Sequence, residues 1–141
     1  MFVRKKKVKK NEYAYLVESI YTRKGSRQKV KKYLGRIFYA ENKLETFNNE
    51  TFQGLLKELF NSLKLPKNVF INYTTKNIFF ENKECTIQVG AGFIYSNLIK
   101  KLFNFKTNKE EIPGQELAEL LSSTGMTFSE EFFVKLYQSL E

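Results

Sequence analysis

The sequence predicts an α+β protein. A basic three-stranded antiparallel sheet comes first, followed by a helix, a small β-meander and three C-terminal helices. Three observations carry this expectation. Residues 12–23 are rich in Tyr, Val, Ile and Thr and alternate with a period of two, as half-buried strands do. Phe52, Leu55, Leu56, Leu59, Phe60 and Leu63 recur at spacings of three and four, as on one face of a helix. Charge divides the chain at the same place. Through Arg36 there are 13 basic residues against Glu12 and Glu18, a net +11. The other 105 residues hold 11 basic and 13 acidic groups, so the net charge of +9 originates in the first quarter. Two units are therefore expected: a basic β-hairpin/sheet module at 1–38 and a mixed α/β body at 39–141.

In order, residues 1–10 read as a strand with basic side chains on both faces, and Asn11 as a turn residue. Residues 12–23 form the second strand and 27–38 the third, with Lys24-Gly25-Ser26 as a three-residue loop. Partner numbers then total 50. Leu16 faces Leu34, Ile20 faces Val30 and Glu18 faces Lys32 on an apolar face. Tyr13, Tyr15, Val17 and Tyr21 share the other face with Lys29, Lys31 and Tyr33. A two-residue Gly25-Ser26 turn is the alternative, and a one-residue slip exchanges the faces. Residues 39–48 are a linker. The helix at 49–63 has Asn48 or Asn49 as its cap and Pro66 beyond its end. Val69–Thr74, Asn77–Glu81 and Glu84–Val89 form the meander, with Thr75-Lys76 and Asn82-Lys83 as tight turns. Helices are expected at 93–105, 114–123 and about 128–140, with a polar loop at Lys106–Pro113. Thr127 and Glu130 have capping-box spacing.

Composition narrows the chemistry. With 42% hydrophobic and 16% aromatic residues the chain can bury a core, so disorder throughout is not expected. No run of 18 apolar residues exists, and no apolar run follows the basic N-terminus, so neither a membrane span nor a signal peptide is expected. The single Cys85 allows no internal disulfide, which suits an intracellular, cytoplasmic setting, at the nucleoid or on ribosomes. The chain has no His, no Trp and no Asp, and all 15 acids are Glu. Histidine acid–base chemistry, Ser-His-Asp triads and Cys/His zinc sites are excluded within one chain. A metal nuclease built on Glu alone is the remaining catalytic option. A non-enzymatic protein without a cofactor is the expectation.

Candidate sites follow from the charge. Clustered Lys and Arg attract phosphate backbones largely without regard to sequence, a two-stranded ribbon fits a major groove, and exposed Tyr stacks on unpaired bases. The candidate nucleic-acid-binding residues are Arg4, Lys5, Lys6, Lys7, Lys9, Lys10, Tyr13, Tyr15, Arg23, Lys24, Arg27, Lys29, Lys31, Lys32, Tyr33 and Arg36. The plain alternative is a solvated strand with lysines guarding a sheet edge, a task that takes few charges. Gly90-Ala91-Gly92 lies where phosphate loops sit but lacks their spacing, so it reads as a strand-to-helix turn. The last two helices have a helix-turn-helix outline, but the second carries Glu130, Glu131 and Glu141 against Lys135 alone, which does not suit a DNA groove. A protein-partner surface on the C-terminal helices, left by Phe132, Phe133 and Tyr137, fits better. Cys85 reads as a small buried apolar residue.

Phe2-Val3-Arg4-Lys5-Lys6-Lys7, Tyr15-Leu16-Val17-Glu18-Ser19, Arg27-Gln28-Lys29-Val30 and Lys32-Tyr33-Leu34-Gly35 together resemble the opening of insertion-sequence transposases, and of some archaeal Fic-domain proteins. The likeness covers about a quarter of the chain. It implies a DNA-contacting hairpin from Arg4 to Arg36. It does not carry catalysis across, because those transposases need an Asp-Asp-Glu set and Fic activity needs a His. The functional expectation is therefore nucleic-acid binding, with DNA favoured over RNA. An RNA- or ribosome-associated factor, or an interaction protein whose hairpin binds an acidic partner, is the alternative.

Overall fold

The computed structural model describes residues 1–106 and 113–140. The part of the expected loop at 107–112, and Glu141, lie outside the described residues. Seven strands and four helices are described: β1 (Phe2–Val8), β2 (Asn11–Thr22), β3 (Gly25–Tyr39), α1 (Phe52–Asn61), β4 (Val69–Asn72), β5 (Asn77–Phe80), β6 (Lys83–Val89), β7 (Gly92–Ile94), α2 (Ser96–Phe103), α3 (Pro113–Ser123) and α4 (Glu130–Gln138). The α+β class holds. The strands form one sheet in the order β1-β2-β3-β6-β5-β4, with β7 added on β6. All pairings are antiparallel except β3 with β6, where Arg36–Tyr39 runs alongside Cys85–Gln88. Backbone pairing thus continues across residue 38 into the body.

Two apolar clusters sit on opposite faces of β3. The larger is built from α1 (Leu55, Leu56, Leu59, Phe60), β6 (Ile87, Val89), α2 (Ile99, Leu102, Phe103), α3 (Leu117, Leu121) and α4 (Phe132, Leu136), and Phe38 packs against it. The smaller joins Ala14, Leu16, Leu34 and Ile37, with Val3, Phe93 and Tyr95 against it. The fully buried Thr86 Oγ1 donates to the Leu34 carbonyl at 2.8 Å, so this hydroxyl is satisfied.

Several local expectations change. The β2–β3 turn is Arg23-Lys24, since Thr22 pairs with Gly25. Gly25 follows the turn at φ +115, a conformation other residues rarely adopt, so the glycine marks the strand's first residue rather than the loop's centre. Asn11 opens β2, and Lys9-Lys10 make the preceding turn. Irregularities at Ala14/Tyr15 and Leu16/Val17 leave Leu34 and Lys31 without ladder partners, so partner numbers drift from 47 at the tip to 49 at the root. Neither loop considered from sequence describes this. Leu16 faces Lys32, Glu18 faces Lys29 and Ile20 faces Arg27.

Helix starts move as well. Thr51 caps α1 by accepting from Gly54 N at 3.0 Å. The Asn48 and Asn49 amides instead donate to the Glu58 carboxylate. Ser129, not Thr127, caps α4 through Phe132 N. Thr127 is held elsewhere: its amide donates to Asn42 Oδ1, and Asn42 Nδ2 donates to its carbonyl. Asn42 is buried, so part of the expected linker is pinned to the body. Gly90-Ala91 form a strand-to-strand turn, because Gly92–Ile94 pairs back on β6 before α2 begins. Burial of Ile94 opposite Ile87, both fully buried, outweighs continuation of the helix.

Candidate nucleic-acid interface

The hairpin has a root and an arm. β1 covers β2 only as far as Val17, which pairs with Phe2, and β6 covers β3 only from Arg36 onward. Between them, Glu18–Thr22 and Gly25–Lys29 form a ribbon with no third strand among the described residues. Its five paired positions span about 17 Å at ordinary strand rise. Both edges are free to approach a ligand. Ile20 is 37% exposed and Tyr21 86%, on opposite faces, so neither face of the arm meets a core. The expected apolar face therefore exists only at the root. An isolated two-stranded ribbon is marginal in water, and this one is extended from a root anchored by Ala14, Leu16 and Leu34.

Basic residues line this arm. Arg23 and Lys24 occupy its tip, where Thr22 Oγ1 accepts from Lys24 N and donates to the Gly25 carbonyl at 2.8 Å, fixing the turn. Arg27 and Lys29 stand exposed on the returning strand. At its base Lys31 pairs with Glu18 at 2.9 Å, and the ammonium holds the Glu18 carboxyl below the usual carboxylate range. Lys32, opposite Leu16 on the root, reaches Asn97 on α2 at 3.3 Å. Lys29 and Lys31 lie on the Glu18 face, not beside the tyrosines, because the unpaired residues of β3 shift its faces relative to β2.

The second basic group is at the other end. Lys6, Lys7, Lys9 and Lys10 surround the β1–β2 turn, and β2 separates them from the arm tip by about 37 Å. Lys5 is engaged nearby with Glu12 at 3.2 Å and with Tyr39. The Tyr39 hydroxyl also donates to Glu12, and that bond, ahead of Lys5, lowers the Glu12 carboxyl; the Tyr39 bond, ahead of Glu12, raises Lys5. The sixteen candidate residues thus form an arm and a distant turn joined by the root.

On the root, the register builds two cross-strand rows, Arg4·Tyr15·Tyr33 and Lys6·Tyr13·Arg36. Tyr33 is 53% exposed, with its ring centroid 5.2 Å from Tyr15 and 6.4 Å from Tyr13. Arg4 Nη1 donates to Gln28 Oε1 at 3.1 Å on the same face. The Arg36 guanidinium lies 4.8 Å from the Phe38 ring centre and 5.7 Å from Phe80. Tyr13, Tyr33, Arg36 and Phe38 line a cleft of about 310 Å³ together with Phe80, Lys83 and Glu84. Sequence reading missed Phe38, Phe80 and Glu84, since only the parallel β3–β6 pairing brings them beside Arg36, and no local pattern announces a contact that distant.

The remaining expected features have definite places. Cys85 is buried, and burial, then Glu84, pushes its thiol up to about 12, which suits an inert core residue. Phe132 is fully buried and cannot contribute to a partner surface; Val134 and Tyr137 are the exposed apolar residues of α4. Among the described residues no group of three metal-ligating side chains converges, and no helix is long and apolar enough to cross a membrane. In comparisons with protein-family models, curated proteins and solved structures, nothing matches this chain.

Proposed function

We propose that this chain is a non-enzymatic nucleic-acid-binding protein that grips phosphates with the basic arm of its β2–β3 hairpin. The supporting observation is the arm itself: a two-stranded ribbon, exposed on both faces, with Arg23, Lys24, Arg27 and Lys29 outside any core. A solvated strand needs no such projection, whereas a ribbon of this width enters a major groove and delivers cations to both walls. The root from which the arm projects is anchored by Ala14, Leu16 and Leu34, so the ribbon is already ordered at its base, which lowers the ordering cost on binding. DNA is favoured over RNA through the resemblance of the opening segment to insertion-sequence transposases.

The test is affinity for duplex DNA, single-stranded DNA and structured RNA across a salt series. Contacts to about six phosphates give a log–log slope near −5 on duplex DNA. The control is Arg23, Lys24, Arg27 and Lys29 changed together to Ser, which leaves the Lys31 and Lys32 contacts intact. It should flatten the slope by about 3 to 4. Equal, weak binding by both proteins at low salt would remove the proposal, and the ranking of the three ligands decides between DNA and RNA.

A further inference from the structure

The root differs from the arm in carrying rings rather than charge alone. Resting on the nucleic-acid reading, we infer that the cleft between Tyr13, Tyr33, Arg36 and Phe80 receives one unpaired base, while the basic strands hold the flanking phosphates. The ligand is then a nucleic acid that offers an exposed base beside its phosphates, such as the frayed end of a duplex or a single strand.

Four features carry this. The first is size: about 310 Å³ lies at the lower end of small-molecule sites, suiting one heterocycle and excluding a base pair with its backbone. Ring presentation is the second. Tyr33 is more than half exposed yet braced by Tyr13 and Tyr15, so a base stacks on a surface already ordered. Third, Arg36 is held over Phe38 and Phe80, which fixes a planar cation at the cleft wall, the geometry that suits stacking on a base. Fourth, the cations sit in the same cross-strand rows as the rings: Arg4 beside Tyr15, and Lys6 beside Tyr13. Neighbouring strands are about 4.8 Å apart, so a base on a ring puts its own phosphate within reach of a cation. The lining also brings Lys83 and Glu84 of β6 to the cleft, a cation and an acid that can meet the polar edge of a base.

The experiment compares a 12-nucleotide thymidine oligonucleotide with one of equal length whose sugars carry no bases. Both present the same phosphates. Wild type should bind the thymidine strand about tenfold more tightly, the equivalent of one stacked base. Tyr33→Ala should abolish that preference, Tyr33→Phe should retain it, and circular dichroism confirms that both fold. A 2-aminopurine placed in the strand should lose fluorescence on wild type and not on Tyr33→Ala. Equal affinity of wild type for the two strands, with the arm variant still weakening both, would overturn the base cleft and leave the phosphate grip standing. Failure of wild type to bind either strand or duplex at low salt would overturn both.

Discussion

One hairpin lives two lives here. At the root, β2 lies between β1 and β3, β3 gains β6 from Arg36 onward, and Ala14, Leu16, Leu34 and Ile37 are buried. Beyond Val17 the same ladder continues without a neighbouring strand among the described residues, and its residues are exposed in both directions. The difference teaches that strand pairing alone does not settle what a strand is for. The root is held by packing and is intolerant of volume change. The arm is held by its turn, its backbone ladder and the Glu18–Lys31 pair at its base, so its side chains are left to serve a ligand.

The largest effect should come from the seam where root meets body. Gly35 adopts φ +93, and a Cβ there would sit 2.2 Å from the Glu84 carbonyl oxygen. A side chain is thus opposed by both the backbone conformation and a neighbouring strand that cannot yield. Gly35→Ala should cost about 3–6 kcal/mol in urea denaturation, from strained backbone plus overpacking. A loss below about 1 kcal/mol would show that β3 and β6 separate easily and that the root is not anchored there.

Next comes a paired substitution along one ladder. Leu16→Ala removes a side chain that is 7% exposed and should cost about 2–4 kcal/mol. Ile20→Ala, at an arm position 37% exposed, should cost less than about 1 kcal/mol. Similar losses at both positions would erase the distinction between root and arm.

This contrast also marks what was legible in the sequence. The alternation around Leu16 and the three-four spacing of Leu55, Leu56 and Leu59 reflect burial on one face, so strands and helices were readable. Turn position was not. Gly25 attracted the loop because glycine favours turns, whereas Arg23-Lys24 form it without one. The unpaired Lys31 and Leu34 leave no trace in composition, yet they move Lys29 and Lys31 to the face opposite Tyr33. For the candidate site, the residues of the arm were readable as charge, but the cleft was not, because Phe80 meets Arg36 only through long-range pairing.

A smaller effect tests the seam by pH. The Cys85 thiol, opposite Arg36 in the ladder, is pushed up to about 12 by burial and by Glu84 from an ordinary value of 9.0. The folded protein keeps the proton where the unfolded chain releases it. Stability from this group is complete below about pH 9 and falls as pH rises toward 12, by about 1.4 kcal/mol per pH unit at most. Tyr73, also pushed up to about 12 by burial, adds a decline from about pH 10. Cys85→Ala should remove the first component and leave the second, so urea midpoints of the two proteins should diverge in slope between pH 9 and 12. Parallel curves would mean that the thiol is open to water and the seam loosely packed.

The smallest effect belongs to the arm's base. Glu18 and Lys31 are each about two-fifths exposed and 2.9 Å apart, so water and salt screen them well. The carboxyl is lowered first by its bond to Lys31 and then by the charge of that ammonium, with Lys29 contributing less. A lowered carboxyl contributes stability above its unfolded pKa and loses it as pH falls through the folded value, so this pair weakens only in acid. Carboxyl titration by NMR should find the Glu18 midpoint below the ordinary value at low salt, and Lys31→Met should bring it most of the way back. Salt at about 1 M, where screening acts over about 3 Å, should weaken the charge contribution in wild type. If Lys31→Met leaves the midpoint low, the N-terminal amine and the remaining cations of the arm, Lys29 first, set it instead. The arm would then act as a single positive field rather than as a ribbon stapled at its base. Substitutions of its lysines would be coupled to one another, in contrast to the independent, packing-limited positions of the root.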